Sequence, residues 1–413
     1  MSGKPRRRAV RLILIVLVGV VALVGIWGWT AERALHRRLA ELQERGFPVT
    51  VADLDAQSSG NGRQATELIQ ALSRELLAVD PNWQDLLSSE NVGDGRPTEE
   101  EAARMRAIAE DSRGRELCRQ WAELPGAEPH AGFGTQGDFM ERLLPVISDV
   151  RNGYRYLSVS ARYYRSRGEV GRAMDDILIG LRGLRRGTPC LVGHLVRVAC
   201  LRLMLREAAE TLSAGHVGDD AWNALDAGLA ELDVNRWWEE AIRSERAYGL
   251  DQMEITLSLG RYWPARPMYQ NTLTYYLDTL DYYQSWRPDA SDNAAEKPPA
   301  KGFSPWNKVV DLLAPVVEAS QNAALTALAE IRCLRVQLRI LKRTAAAGEE
   351  AEVTWDAIDL PEADKTDPFS RQPLTIRSTE EGWVVYSVGR NLRDDGGEFE
   401  DQEDVGVRVA FRR

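Results

Sequence analysis

No two cysteines in this 413-residue chain stand close enough to form a CxxC pair. Cys118, Cys190, Cys200 and Cys333 are scattered, which excludes a zinc ribbon or dithiol motif built on local spacing. Histidine is as sparse: His36, His130, His194 and His216 include no two at metal-ligand separation. Walker, HExxH and GxSxG motifs are all missing, so the commonest local signatures of nucleotide hydrolases, zinc proteases and serine hydrolases are absent. A site assembled from distant positions is left open by that. A concentrated basic face is lacking too. The net charge is −10, and a nucleic-acid footprint needs clustered lysine and arginine, so no nucleic-acid partner is expected.

The acidity is unevenly placed. Residues 349–413 hold 17 Asp/Glu against 8 Lys/Arg, which is nearly the whole imbalance and makes this end the place to look for a cation. The other charge void is at the beginning. From Leu12 to Trp29 the chain reads LILIVLVGVVALVGIWGW, 18 residues without a charge, which at about 1.5 Å each spans most of a hydrocarbon core of roughly 30 Å. Lys4, Arg6, Arg7, Arg8 and Arg11 precede it with no acid among them. The positive-inside bias therefore predicts a cytoplasmic N-terminus and an extracytoplasmic bulk, single-pass in the inner membrane of a bacterial-type cell. Trp27 and Trp29 stand where an interfacial aromatic belt is expected. The alternative, a cleaved signal peptide, has no clean small-x-small site at Gly28 to Ala31. Helical spacing continues through TAERALHRRLAELQERG to Gly46 and Pro48, which predicts a helical stalk.

Beyond the stalk the pattern is helical. Ala65, Leu68, Ile69 and Leu72 mark one amphipathic helix, and Glu100 to Leu124 a second, with loops predicted over Ser88 to Glu99 and Gly126 to Gly137. Further helices are predicted over Leu191 to Ala214, Asp219 to Leu232 and Asn235 to Leu257. Tyr269, Leu273, Tyr276, Leu280 and Tyr283 recur at steps of four and three, an apolar stripe suited to core packing or to a ligand groove. After a linker-like 288–304, Pro305 opens a long helix, kinked at Pro315 and running to about Ala347, whose Leu325, Leu328, Ile331, Leu334, Leu338 and Leu341 share one face. Ile376, Trp383 to Tyr386, Val388, Val405, Val407, Val409 and Phe411 lie in short β-prone runs, which predict a small antiparallel sheet. The cysteines suit small buried hydrophobes, although export would also permit a bridge.

Two chemical readings are weaker. Gly132, Gly134 and Gly137 match GxGxxG but follow no strand. Asp175 and Asp176 are adjacent and so point about 100° apart on a helix, which makes helix surface the expected setting rather than a facing catalytic pair.

Two stretches carry resemblances. Tyr156 to Leu184 breaks at Arg167 and Gly168, with small Ala161 and Ala173 facing large Tyr164 and Ile177; this spacing resembles one tetratricopeptide-type hairpin, a single unit and not an array. The C-terminal run TDPFSRQPLTIRSTEEGWVVYSVGRNLRDDGG resembles the end module of uncharacterised membrane-anchored bacterial proteins of planctomycete type, and the sheet-and-loop end of the major type II secretion pseudopilin. The matching residues are Asp367, Pro368, Phe369, Pro373, Tyr386, Ser387, Gly389, Asp394, Asp395, Gly396 and Gly397. The pseudopilin resemblance implies a calcium loop, with Ser387, Asn391, Asp394, Asp395, Asp401 and Asp404 as oxygen donors here; a solvated acidic turn is the alternative. Asn391 stands where that family has Asp, Arg390 and Arg393 place cations nearby, and the anchor has neither the processing site nor the glutamate of a pseudopilin.

The expected fold is mainly α: a basic tip and transmembrane helix over 1–30, a helical-hairpin array over 31–287, a linker over 288–304, a long helix over 305–348 and a small antiparallel β module over 349–413. The expected function is that of a non-enzymatic, membrane-tethered extracytoplasmic scaffold or binding protein. The alternatives are a secretion or envelope assembly component with an envelope protein partner and a calcium-stabilised module, and a membrane-anchored hydrolase.

Overall fold

The computed structural model describes residues 4–57, 61–87, 97–124, 139–186, 190–290, 299–347, 353–379, 382–399 and 403–409. The GxGxxG match, His130, Asp401 and Phe411 lie outside them. The molecule is mainly helical, with one three-stranded antiparallel sheet near the C-terminus. It forms two compact units: residues 1–56, 242–286 and 294–317 make the first, and 57–241, 287–293 and 318–413 the second.

The first unit is organised on α1 (Lys4–Glu44). It is the one candidate span among the described residues, long and apolar enough to cross a membrane, with mean hydropathy 2.7 over a window that is wholly unburied. Beyond Thr30 the same helix changes character. Ala31, Leu35 and Leu42 turn buried, at spacings that keep one face toward α11 (Arg266–Gln284). The expected stalk is therefore packed along its length. Arg38 bonds Asp278 and Asp281 of α11 at 2.8 Å each, and Arg45 reaches Asp281 at 3.1 Å. Gly46, at φ +76°, ends α1 as a Schellman cap: its N–H donates to Gln43 and that of Phe47 to Leu42, both at 2.9 Å. Leu273, Tyr276 and Leu280 of the predicted aromatic stripe are buried, so its centre is core.

The second unit begins with α3 (Gly62–Val79), whose Ala65, Ile69 and Leu72 are buried. The single helix expected over Glu100 to Leu124 is two, α4 (Glu99–Ala109) and α5 (Ser112–Glu123). Thr98 and Glu101 form a capping box at the first, and Asp111 separates the two because its carboxylate caps α5 through the N–H groups of Arg113 and Gly114. The hairpin of α6 (Phe139–Ser166) and α7 (Val170–Gly183) turns at Arg167 and Gly168, with Ala161, Tyr164, Ala173 and Ile177 all buried. Next come α8 (Cys190–Ala214) and α9 (Asp219–Ala230), then α10 (Val234–Thr256), whose residues from Ile242 on belong to the first unit. The long C-terminal helix is broken rather than kinked: α12 (Asn307–Asp311) stops at Leu312 and α13 (Leu313–Ala347) restarts. Pro315 thus falls in the first turn of α13, where its missing N–H costs nothing.

After the short α14 (Glu362–Lys365), β1 (Thr375–Thr379), β2 (Gly382–Ser387) and β3 (Val405–Arg408) pair in that order. Ile376 faces Val385, and Val385 faces Val407. The sheet does not make its own core: Val385 packs with Ile358, Leu360 and Leu374 against Cys333, Val336 and Ile340 of α13.

Candidate functional site

Of the six residues proposed for calcium, Asp401 lies outside the described residues and the other five do not form one oxygen cage. Ser387 belongs to a separate network, donating to Asp367 Oδ1 at 2.7 Å and accepting from Gly389 N–H at 3.0 Å. Gly389 sits at φ +61°, where any Cβ would run into the Glu403 carbonyl. Asn391 donates its amide N–H to Asp395 at 2.8 Å and accepts from Arg393 N–H at 2.8 Å, so both side chains are engaged within the loop. Asp394 accepts from Tyr386 Oη at 2.7 Å and from Gly396 N–H at 2.9 Å. Asp404 is buried, and its Oδ2 accepts from Asp395 N–H at 3.1 Å and Gly397 N–H at 2.8 Å. Burial pushes the Asp404 carboxyl up against those two N–H groups. Its Oδ1 is buried without a donor, the one oxygen here that a cation would suit. Among the described residues no group of three or more His, Cys, Asp or Glu could hold a metal. Among the described residues the loop's oxygens are largely engaged by its own hydrogen bonds.

The helical core holds three buried acids that sequence reading did not single out as buried. Glu207 on α8 accepts from Ser158 at 2.6 Å and from Arg162 and Arg165 of α6 at 2.7 Å each. Asp176 on α7 accepts from Ser160 at 2.6 Å, with Arg115 of α5 at 2.9 Å. The surface expectation holds for Asp175 and fails for Asp176, which is buried because α7 turns that side toward α5 and α6. Glu330 of α13 meets Arg202 of α8 at 2.9 Å. Burial pushes Asp176 up to about 6 and Glu330 up to about 7, against the arginines that pull them down. Burial, with Arg197 adding to it, lowers His194 to about 4 beside the Trp238 ring. All four cysteines are buried and none is in a disulfide, and burial pushes Cys118 and Cys333 far up and Cys200 up to about 12.

Asp176 gives a pH test. Its folded value lies above the ordinary 3.8, so its contribution is fully present below about pH 4 and lost as pH rises through 6. That loss is roughly 3 kcal/mol, at about 1.4 kcal/mol per pH unit of displacement. Denaturant titrations of the full-length protein and of Asp176→Asn should show a flatter stability profile between pH 4 and 7 in the variant. Parallel profiles would contradict the assignment.

An open recess does exist, and it is built by α13. Arg332, Arg335, Arg339, Lys342 and Arg343 recur along that helix at steps of three, four, three and one, which puts them on one side. The first three are consumed in fastening neighbours. Arg332 donates to the Thr366 carbonyl at 2.7 Å; Arg335 pairs with Asp364 at 2.6 Å and Asp226 at 3.1 Å. Arg339 pairs with Asp226 at 2.6 Å and donates to the Asp359 carbonyl at 3.2 Å. The last two reach a cleft of about 570 Å³ lined by Asn223, Asp226, Arg339, Lys342, Arg343, Ala357 and Asp359. Among the described residues Lys342 donates to Asn223 alone, at 3.3 Å, and both Lys342 and Arg343 are exposed. Arg339, Lys342 and Arg343 stand against Asp226 and Asp359 in the lining, and Asp226 is already paired with two arginines, so the rim carries a net positive charge. The signal was present in the sequence as a helical period of cations, but the apolar stripe on the same helix was the stronger pattern.

Comparison with protein-family models, with curated proteins and with solved structures finds no match to this chain.

Proposed function

We propose that this chain is a non-enzymatic, membrane-tethered helical scaffold or binding protein whose ligand presents an anionic group, a carboxylate or a phosphate, to the cleft on α13. The observation that carries it is the rim of Lys342 and Arg343 around an open recess lined by three cations against two acids, of which Asp226 is spent on Arg335 and Arg339 while Asp359 remains exposed. An anion there gains charge-assisted bonds without having to displace a strong internal pair. The five cations before the apolar segment favour a cytoplasmic N-terminus and an extracytoplasmic cleft.

The buried acids support the non-enzymatic reading. Asp176, Glu207 and Glu330 face arginines inside helix seams rather than the cleft, so these three acids of displaced acidity stand apart from that recess. The envelope-assembly reading with a calcium-stabilised module has one observation in its favour, the lone Oδ1 of Asp404, and a loop largely engaged by its own hydrogen bonds against it.

The test places a photo-crosslinking amino acid at Asn223, inside the cleft, and separately at Arg113, an exposed position on α5. In membranes holding the full-length protein, a discrete adduct is expected from position 223 and not from 113, and it should be lost when Lys342→Glu and Arg343→Glu are combined. No adduct, or one indifferent to the charge reversal, would overturn the proposal.

A further inference from the structure

Four large rings of the first unit stand in solvent: Trp29 is 60% exposed, Tyr262 70%, Trp263 60% and Phe303 76%. One exposed aromatic is unremarkable on a protein surface, but several together mark a contact face. These four come from three distant stretches of chain, and their common height on the molecule can be worked out from the packing of α1 on α11.

The two helices run in the same direction. A side chain at Gly28 would touch the Pro267 ring at 3.4 Å, Glu32 bonds Arg266 at 2.5 Å, Arg38 bonds Asp278 and Asp281, and Arg45 reaches Asp281. The rise from Gly28 to Arg38 and the rise from Pro267 to Asp278 are each about 15–17 Å at 1.5 Å per residue, so the helices also stay in step. The N-terminal end of α11 therefore lies beside Gly28, where the uncharged stretch of α1 ends. The Tyr262 carbonyl accepts from Ala265 N–H at 2.9 Å and Arg266 N–H at 3.1 Å, which fixes Tyr262 and Trp263 in the turn leading into that end. Phe303 reaches the same height from the other side, its ring 5.9 Å from that of Trp27. All four rings thus gather at the level where an α1 that spans the membrane would leave it.

The geometry points to a second membrane contact: Tyr262, Trp263 and Phe303 form, with Trp29, an aromatic collar seated in the headgroup region of the bilayer that α1 spans. The occupant is lipid because the patch is continuous with the apolar window of α1, none of which is buried among the described residues. Tyrosine and tryptophan suit that zone, presenting an apolar ring to the acyl boundary and a polar edge to water. Basic side chains stand close by. Arg33 stacks on Trp29 at 5.3 Å, where a cation meets lipid phosphates, while Arg261 and Arg266 beside the two rings are paired with Glu254 and Glu32. Such a collar fixes the tilt and height of the first unit, which a single helix alone leaves free.

This inference rests on α1 crossing the membrane, and the experiment separates the two. The native cysteines are buried, so single introduced cysteines can be spin-labelled in the full-length protein, reconstituted in phosphatidylethanolamine and phosphatidylglycerol vesicles. Four sites are compared: Leu17→Cys in the apolar stretch, Trp263→Cys and Phe303→Cys in the collar, and Glu41→Cys, about 18 Å further along α1 than Trp29. Accessibility to oxygen relative to a water-soluble nickel chelate reports depth. The expected order is Leu17 highest, Trp263 and Phe303 intermediate, and Glu41 at the aqueous value. Leu17 in lipid with Trp263 and Phe303 at the Glu41 value overturns the collar and leaves the anchor standing. Low accessibility to both reagents at the collar means protein covers it and overturns the lipid assignment. Leu17 at the aqueous value overturns both.

Discussion

Glu207→Ala is expected to destabilise the full-length protein by roughly 3–5 kcal/mol at neutral pH, the cost of removing one partner from a buried ion pair. The carboxylate is buried on α8 and is the common acceptor for Ser158, Arg162 and Arg165 on α6. Removing it leaves two guanidinium groups facing one another in the α6–α8 seam, with only Arg165 keeping an alternative, Glu210. Glu207→Gln should lose less, since its oxygen still accepts from Ser158 while the charge compensation disappears. The pH dependence has a sign opposite to that of Asp176. Burial acts to raise the Glu207 carboxyl, but Arg162, Arg165 and Ser158 outweigh it and hold the group below its ordinary value. Its stabilisation is therefore present above about pH 4.5 and lost as pH falls through the lower folded value. Denaturant titration at pH 7 checks the prediction. An alanine variant within about 0.5 kcal/mol of the parent, the usual range for surface changes, would show that the pair is not structural.

Glu207 also marks the limit of sequence reading here. Its partners lie 42–49 residues away, so nothing local distinguishes it from Glu210, which stays on the surface side of the same helix. What local physics determines was legible. The charge void and its basic flank pointed to an apolar α1, the glycines at 46 and 168 ended helices where their backbone was needed, and a short β-prone run located β2. Interruptions made by a single side chain or by packing were not legible. Asp111 splits α4 from α5 by capping, within a stretch whose apolar period runs on undisturbed. The end of α11 beside Gly28 depends on tertiary register, so Tyr262, Trp263 and Phe303 gave no sign of sharing a level. At the C-terminal loop the acidic residues were correctly counted, but acidity alone did not reveal that Asn391, Tyr386 and backbone N–H groups occupy their oxygens.

The same reasoning places the keystone of the β module at Asp367 rather than in the acidic loop. Asp367 is buried, and each of its oxygens accepts twice: Oδ1 from Phe369 N–H at 2.8 Å and Ser387 Oγ at 2.7 Å, Oδ2 from Ser370 Oγ at 2.9 Å and Val388 N–H at 3.1 Å. One carboxylate thus joins the turn before β1 to the end of β2, and through Ser387 it holds the N–H of Gly389, whose left-handed backbone lies against Glu403 just before β3. Asp367→Ala leaves the buried Ser387 hydroxyl and the Val388 N–H without acceptors, at about 1–3 kcal/mol for each buried group, so a loss of roughly 3–5 kcal/mol is expected. Asp367→Asn keeps the shape but turns an NH₂ toward one pair of donors, and should fall between the alanine variant and the parent. The loss should be local in the first instance, because β1 to β3 are short and rest on α13 through one small cluster. Hydrogen exchange on the full-length protein is therefore the sharper readout: amides pairing β2 with β3 should lose protection in Asp367→Ala while those of α6 and α7 keep theirs. Unchanged protection across β2 and β3 would place the module's stability in its contacts with α13 alone.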